Sequence, residues 1–112
     1  KIILITEKNY LMMHLENEFD PIRLWAAQKG IYEKGDIKTQ FVKLMEESGE
    51  LANAIIGKDH AEIMDAIGDM VVVLTSIAHF NNTTIESCIN VAYDAIKSRK
   101  GKMENGSFVK NK

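Results

Sequence analysis

At 112 residues the chain has room for one domain and not for two. With 46% hydrophobic and 27% charged residues it is too apolar for intrinsic disorder, and a formal charge of −2 excludes the broad basic field that holds duplex nucleic acid. The longest apolar run, Met70 to Leu74, falls far short of a bilayer span, and a lone Cys88 excludes an internal disulfide. The chain therefore reads as cytoplasmic, with neither a membrane nor duplex nucleic acid among its expected partners.

Sparse glycines and one proline leave helix-sized intervals, which predicts an all-α antiparallel bundle of about four helices. Residues 1–20 read as an N-terminal extension of uncertain origin, with a short β-branched run at Ile2 to Ile5 and a possible extra helix over Tyr10 to Phe19. Residues 21–112 read as the helical domain with a basic C-terminal tail. Asp20-Pro21 starts a first helix that ends at Lys29 before Gly30. A loop over Ile31 to Asp36 follows, and Asp36 caps a second helix running to Ile56 and Gly57. Asp59 with Glu62 has the form of a capping box and opens a third helix to about Phe80. Thr83 with Glu86 repeats the pattern and opens a fourth, to Lys100, stopped by Gly101. The tail from Lys102 is polar, with a turn at Asn105-Gly106.

Helical phase puts Phe41, Met45, Ser48, Ala52 and Ile55 on one stripe of the second helix, which predicts that this stripe is core. Glu46, Glu47 and Glu50 crowd the other side, and Glu62, Asp65 and Asp69 share a face of the third helix. A solvated acidic face is the plain reading of either set alone. Yet the third-helix face continues into Val72, Val73 and Ser76, and no Lys or Arg occurs between Lys58 and Lys97. Acids on the rim of a buried face without cations are costly. Two such patches on antiparallel helices form an oxygen-rich cluster suited to Mg²⁺, with Mn²⁺ a possible substitute. Met70 to Leu74, apolar on every side, predicts cover by the bundle itself or by a second copy, in a dimer or a tetramer. Cys88 falls on the stripe Ile85, Cys88, Ile89, Ala92, Ile96 and reads as core.

The run Lys43-Leu-Met-Glu46-Glu47-Ser-Gly49-Glu50-Leu51, followed by Asp65-Ala-Ile-Gly68-Asp69, resembles the EExxE and ExxD signature of the MazG-like, all-α nucleoside triphosphate pyrophosphohydrolases. Trp25 through Ile31, Gln40, and the closing stretch from Tyr93 to Lys110 are also similar to small single-domain members of that family. One position departs: Ala66 stands where the pattern has the glutamate of ExxD, and Asp65, or less simply Glu62, is the neighbouring carboxylate. The resemblance implies Mg²⁺-dependent cleavage of a nucleoside triphosphate to a monophosphate and pyrophosphate. On that reading Glu47, Glu50, Asp65 and Asp69 bind metal, while Glu46, with Glu47 and Glu50, serves catalysis as a ligand or a general base.

Tyr93, Lys97, Arg99, Lys100 and Lys102 then supply phosphate contacts, as does Lys43, although cations near a helix end also complement its dipole without any ligand. Trp25 either stacks on a base or belongs to the core. Two competing readings stand beside this one. A Nudix hydrolase is opposed by Val42-Lys43 where that motif has Arg-Glu and by Glu50 where it has an aliphatic residue. A non-catalytic helical interaction module would use the apolar third helix to dimerise and the acids for solubility.

Overall fold

In the computed structural model, which describes residues 17–112, N-cap side chains set the starts of the three longest helices. Helix α1 spans Phe19–Gln28, earlier than Asp20-Pro21 suggests, because the Asn17 side chain accepts from the Phe19 and Asp20 N–H groups. Gly30, at φ 82°, ends it in the left-handed region. The segment expected to be a loop holds a one-turn helix, α2, at Ile31–Lys34. Helix α3 is Ile37–Ile56, capped by Asp36, which accepts from Thr39 N. Helix α4 is His60–Phe80, capped by Asp59, which accepts from Glu62 N. Both caps are the ones read from the sequence. The extension assigned to residues 1–20 lies outside the described residues up to position 16.

The fourth long segment differs from expectation at both ends. Helix α5 spans Ile85–Ile96, and its cap is Thr84, which accepts from Ser87 N, not Thr83. Glu86 is drawn away from a capping role: it receives both terminal nitrogens of Arg23 at 2.6 and 2.7 Å and the Asn17 amide at 3.0 Å. Gly101 does not stop a helix. It begins strand β1 (Gly101–Glu104), which pairs antiparallel with β2 (Ser107–Lys110), register Gly101↔Lys110. Asn105 and Gly106 both take positive φ, the two-residue turn that matches strand twist. A side chain at Gly101 would run into the Val109 carbonyl oxygen, so the second strand's close passage demands glycine there. The molecule is thus all-α with one small hairpin.

Helices α3 and α4 form the main packed pair. Their seam is made by Leu44, Glu47, Leu51 and Ala54 against Ala66, Asp69, Val73 and Ser76. This lies about 100° round α3 from the predicted core stripe. Phe41, Met45 and Ile55 are exposed in the protomer, and only Ser48 of that stripe is partly covered. Helical phase misplaces the core because α3 carries two apolar faces, and the acidic Glu47 occupies the inner one. Helix α4 is likewise apolar on its outer face, where Met64, Ile67 and Leu74 are exposed, so the protomer does not cover it all round. By length and composition α4 could cross a bilayer, but its inner face is packed on α3. Cys88 is exposed, not core, because α5 rests only lightly on α4.

The Arg23–Glu86 bridge ties α5 to α1, with Asp20 as a second partner of Arg23. Arg23 holds the Glu86 carboxyl down from 4.5 to about 2. A depressed folded pKa contributes stability above the unfolded value that is lost as pH falls through the folded one. Glu86→Gln is expected to lower stability by up to about 1 kcal/mol at neutral pH, the scale of a solvent-screened ion pair. The deficit should shrink between pH 4.5 and about 2, read by thermal melts across pH.

Candidate metal and nucleotide site

Glu47 and Asp69 meet because both occupy seam positions of an antiparallel helix pair, where apolar residues would ordinarily sit. Glu50, one turn beyond Glu47 on α3, joins them at the seam's edge. Each of the three offers a carboxylate oxygen, and these oxygens all lie within 4.8 Å of one another. Glu47 is only 5% exposed. Its Oε1 lies 3.2 Å from Lys43 Nζ, while its Oε2 is buried with no hydrogen-bond partner among the described residues.

The charges register this crowding. Glu50 is raised above the ordinary glutamate range chiefly by the adjacent Glu47 carboxylate. Asp69 is raised first by burial, then by Asp65 and Glu47. Carboxylates at hydrogen-bonding separation have no donor to share unless one keeps a proton, which is why their pKa values rise. Lys43 is raised too, because Glu47 favours its cationic form. One lysine against three acids leaves the cluster negative. Hard oxygen ligands gathered from two helices, one with an orphaned buried oxygen, suit Mg²⁺ or Mn²⁺.

The other predicted residues fall in three places. Asp65 is exposed one turn from Asp69, acting on it through charge and standing outside the three-oxygen cluster. Glu46 is exposed on the outer lip, 3.7 Å from Lys43 Nζ. Trp25 of α1 is 45% exposed and lines an open cavity of about 390 Å³ with Gln40, Lys43, Glu47, Asp69 and Ser76. It is neither core nor remote. Tyr93, Lys97, Arg99, Lys100 and Lys102 line no described cavity that holds Glu47; Lys97 pairs with Asp94 at 3.0 Å and Lys102 with Glu104 at 3.3 Å.

Sequence reasoning missed Thr39, Val72, Val73 and Ser76 as cavity walls. Their signal was present in the spacing opposite Gln40 and Lys43, but it required the seam to be placed correctly.

This arrangement coincides with a family match. The MazG nucleotide pyrophosphohydrolase domain matches residues 36–103, more than half of the chain. The chain belongs to the MazG family. The match covers α3 and α4 whole, hence all three clustered acids. The MazG chain is also 35% identical over 71 residues to an uncharacterized 18.2 kDa protein of Haemophilus phage HP1. That similarity spans 63% of this chain and 44% of the phage protein, so the chain matches less than half of its relative's length. No solved structure matches it.

Proposed function

We propose that this MazG-family chain is a Mg²⁺-dependent pyrophosphohydrolase that cleaves a ribo- or deoxyribonucleoside triphosphate between its α and β phosphates. The observation that carries the reading is the clustering of Glu47, Glu50 and Asp69 around a buried Glu47 carboxylate whose Oε2 has no hydrogen-bond partner among the described residues, an arrangement repulsive on its own and satisfied by a divalent cation. Glu47, Glu50 and Asp69 are the residues that would hold the ion, with Asp65 adding charge from the next turn. When bound, Mg²⁺ neutralises phosphate charge and acidifies a coordinated water. Lys43 stands beside the acids as the cation that faces the polyphosphate. Glu46, exposed at the lip, is the carboxylate free to take a proton from the attacking water. Trp25 offers an open aromatic face to the base.

The remaining basic residues, which line no described cavity with Glu47, are assigned to the site of a second copy. Phe41, Met45, Ile55, Met64 and Ile67 form apolar surface that one protomer leaves uncovered, the composition of an interface between copies. A homo-oligomer that buries this surface could carry Tyr93, Lys97, Arg99, Lys100 and Lys102 of one protomer to the acids of another.

The test is a panel of NTPs and dNTPs with Mg²⁺, scored for pyrophosphate against orthophosphate and repeated with Glu50→Gln. Pyrophosphate with nucleoside monophosphate, lost at least about tenfold in the variant, is expected. Orthophosphate release, or full activity in Glu50→Gln, would remove the mechanism. No hydrolysis, together with no Mg²⁺-dependent rise in melting temperature, would favour a non-catalytic interaction module.

A further inference from the structure

Besides Glu47, Asp69 and Lys43, the cavity between α1, α3 and α4 has apolar walls, Trp25 among them, and three further polar residues, Thr39, Gln40 and Ser76. Thr39 is already engaged, its Oγ1 3.0 Å from Asp36 Oδ2. The half-buried Gln40 carboxamide makes no hydrogen bond among the described residues. Its polar atoms are not closed off from solvent, so a ligand that enters the cavity can displace water and pair with them.

Gln40 and Glu47 are seven residues apart on the same helix, about 10 Å along its axis. This is comparable to the span from a nucleotide's α-phosphate to its base. We propose that Gln40 reads the hydrogen-bonding edge of the nucleobase while Trp25 covers its face, making Gln40 the residue that sets base preference. The inference rests on the reading of this groove as a nucleotide site. A carboxamide carries one acceptor and two donors, so it can pair with an adjacent acceptor and donor on a base edge. A site that hydrogen-bonds its substrate discriminates against an analogue that leaves it unpaired far better than an apolar pocket does.

Trp25 is the single tryptophan of the chain, so its fluorescence reports the cavity directly. The experiment titrates wild type, Gln40→Leu and Gln40→Glu with AMP, GMP, CMP and UMP in the absence of metal, following Trp25 quenching. In parallel it measures pyrophosphate release from the four NTPs with Mg²⁺, and competition by base-free tripolyphosphate. Wild type should rank the bases, and Gln40→Leu should flatten that ranking by about tenfold, the loss of one well-placed hydrogen bond. Inhibition by tripolyphosphate should stay unchanged in both variants. Gln40→Glu, which offers acceptors only, should shift the ranking toward guanine, whose edge presents two adjacent donors, N1–H and the 2-amino group. It also decides the matter should the leucine variant fail to fold.

An unchanged base ranking in an active, folded Gln40 variant would overturn the inference and leave the pyrophosphohydrolase reading intact. Base-ranked, Gln40-dependent quenching without hydrolysis of any NTP would overturn that reading and leave the base pocket. Absence of quenching by all four monophosphates would overturn the base pocket.

Discussion

Asp69→Asn is expected to lower pyrophosphate release by more than about 100-fold, since residues that merely orient metal ligands cost up to that much. The same change should abolish any rise in melting temperature on adding Mg²⁺. In metal-free buffer the variant should be no less stable than wild type, and above neutral pH it should be more stable. The reason is the sign of the shifts. Asp69 and Glu50 have folded pKa values raised above their unfolded ones. The native state therefore holds protons that the unfolded state releases, so the metal-free protein loses stability as pH rises from the ordinary carboxylate range through the raised values. Removing one charge from the cluster removes part of that loss. Thermal melts of both proteins at several pH values, with and without Mg²⁺, read the whole prediction. Lower metal-free stability of Asp69→Asn at every pH would mean that Asp69 is structural.

Ala66→Glu is the second large effect. Ala66 is buried in the seam, three residues before Asp69 and on the same face of α4. A glutamate there would restore the ExxD spacing that the sequence lacks, but it would add an uncompensated acid at a position built for a methyl group. The expected cost is about 3–5 kcal/mol in the metal-free protein, the scale of a buried charge left without a partner. Because the new carboxylate faces the same cluster, Mg²⁺ should narrow the deficit. Urea denaturation with and without Mg²⁺ gives both numbers. A deficit that Mg²⁺ does not change would place position 66 outside the reach of the cation.

The helix boundaries of α3 and α4 were legible because Asp36 and Asp59 cap them through their own side chains, a purely local device. The hairpin was not, although Asn105-Gly106 was visible as a turn, since four-residue strands exposed on both faces carry no alternation to read. Glu86 shows the limit of local rules. Its spacing from Thr83 fits a capping box, but Arg23, far away in sequence, offers a stronger partner. The three acids could be named from spacing, yet their depth could not. Phe41, Met45 and Ile55 pulled the apparent core of α3 away from Glu47, because the spacing of apolar residues cannot tell a seam within the protomer from an apolar face it leaves open. Asp65 and Ala66 show the same limit on α4, where one residue of phase separates an exposed acid from a buried methyl.

All of this depends on one cation binding between α3 and α4. The most direct measurement is anomalous diffraction from crystals grown with Mn²⁺ and collected near the manganese edge. A peak within coordinating distance of Glu47, Glu50 and Asp69 together is the predicted result. Ordered carboxylates with no peak between them, or a peak confined to Asp59 and Glu62 at the far turn, would contradict it.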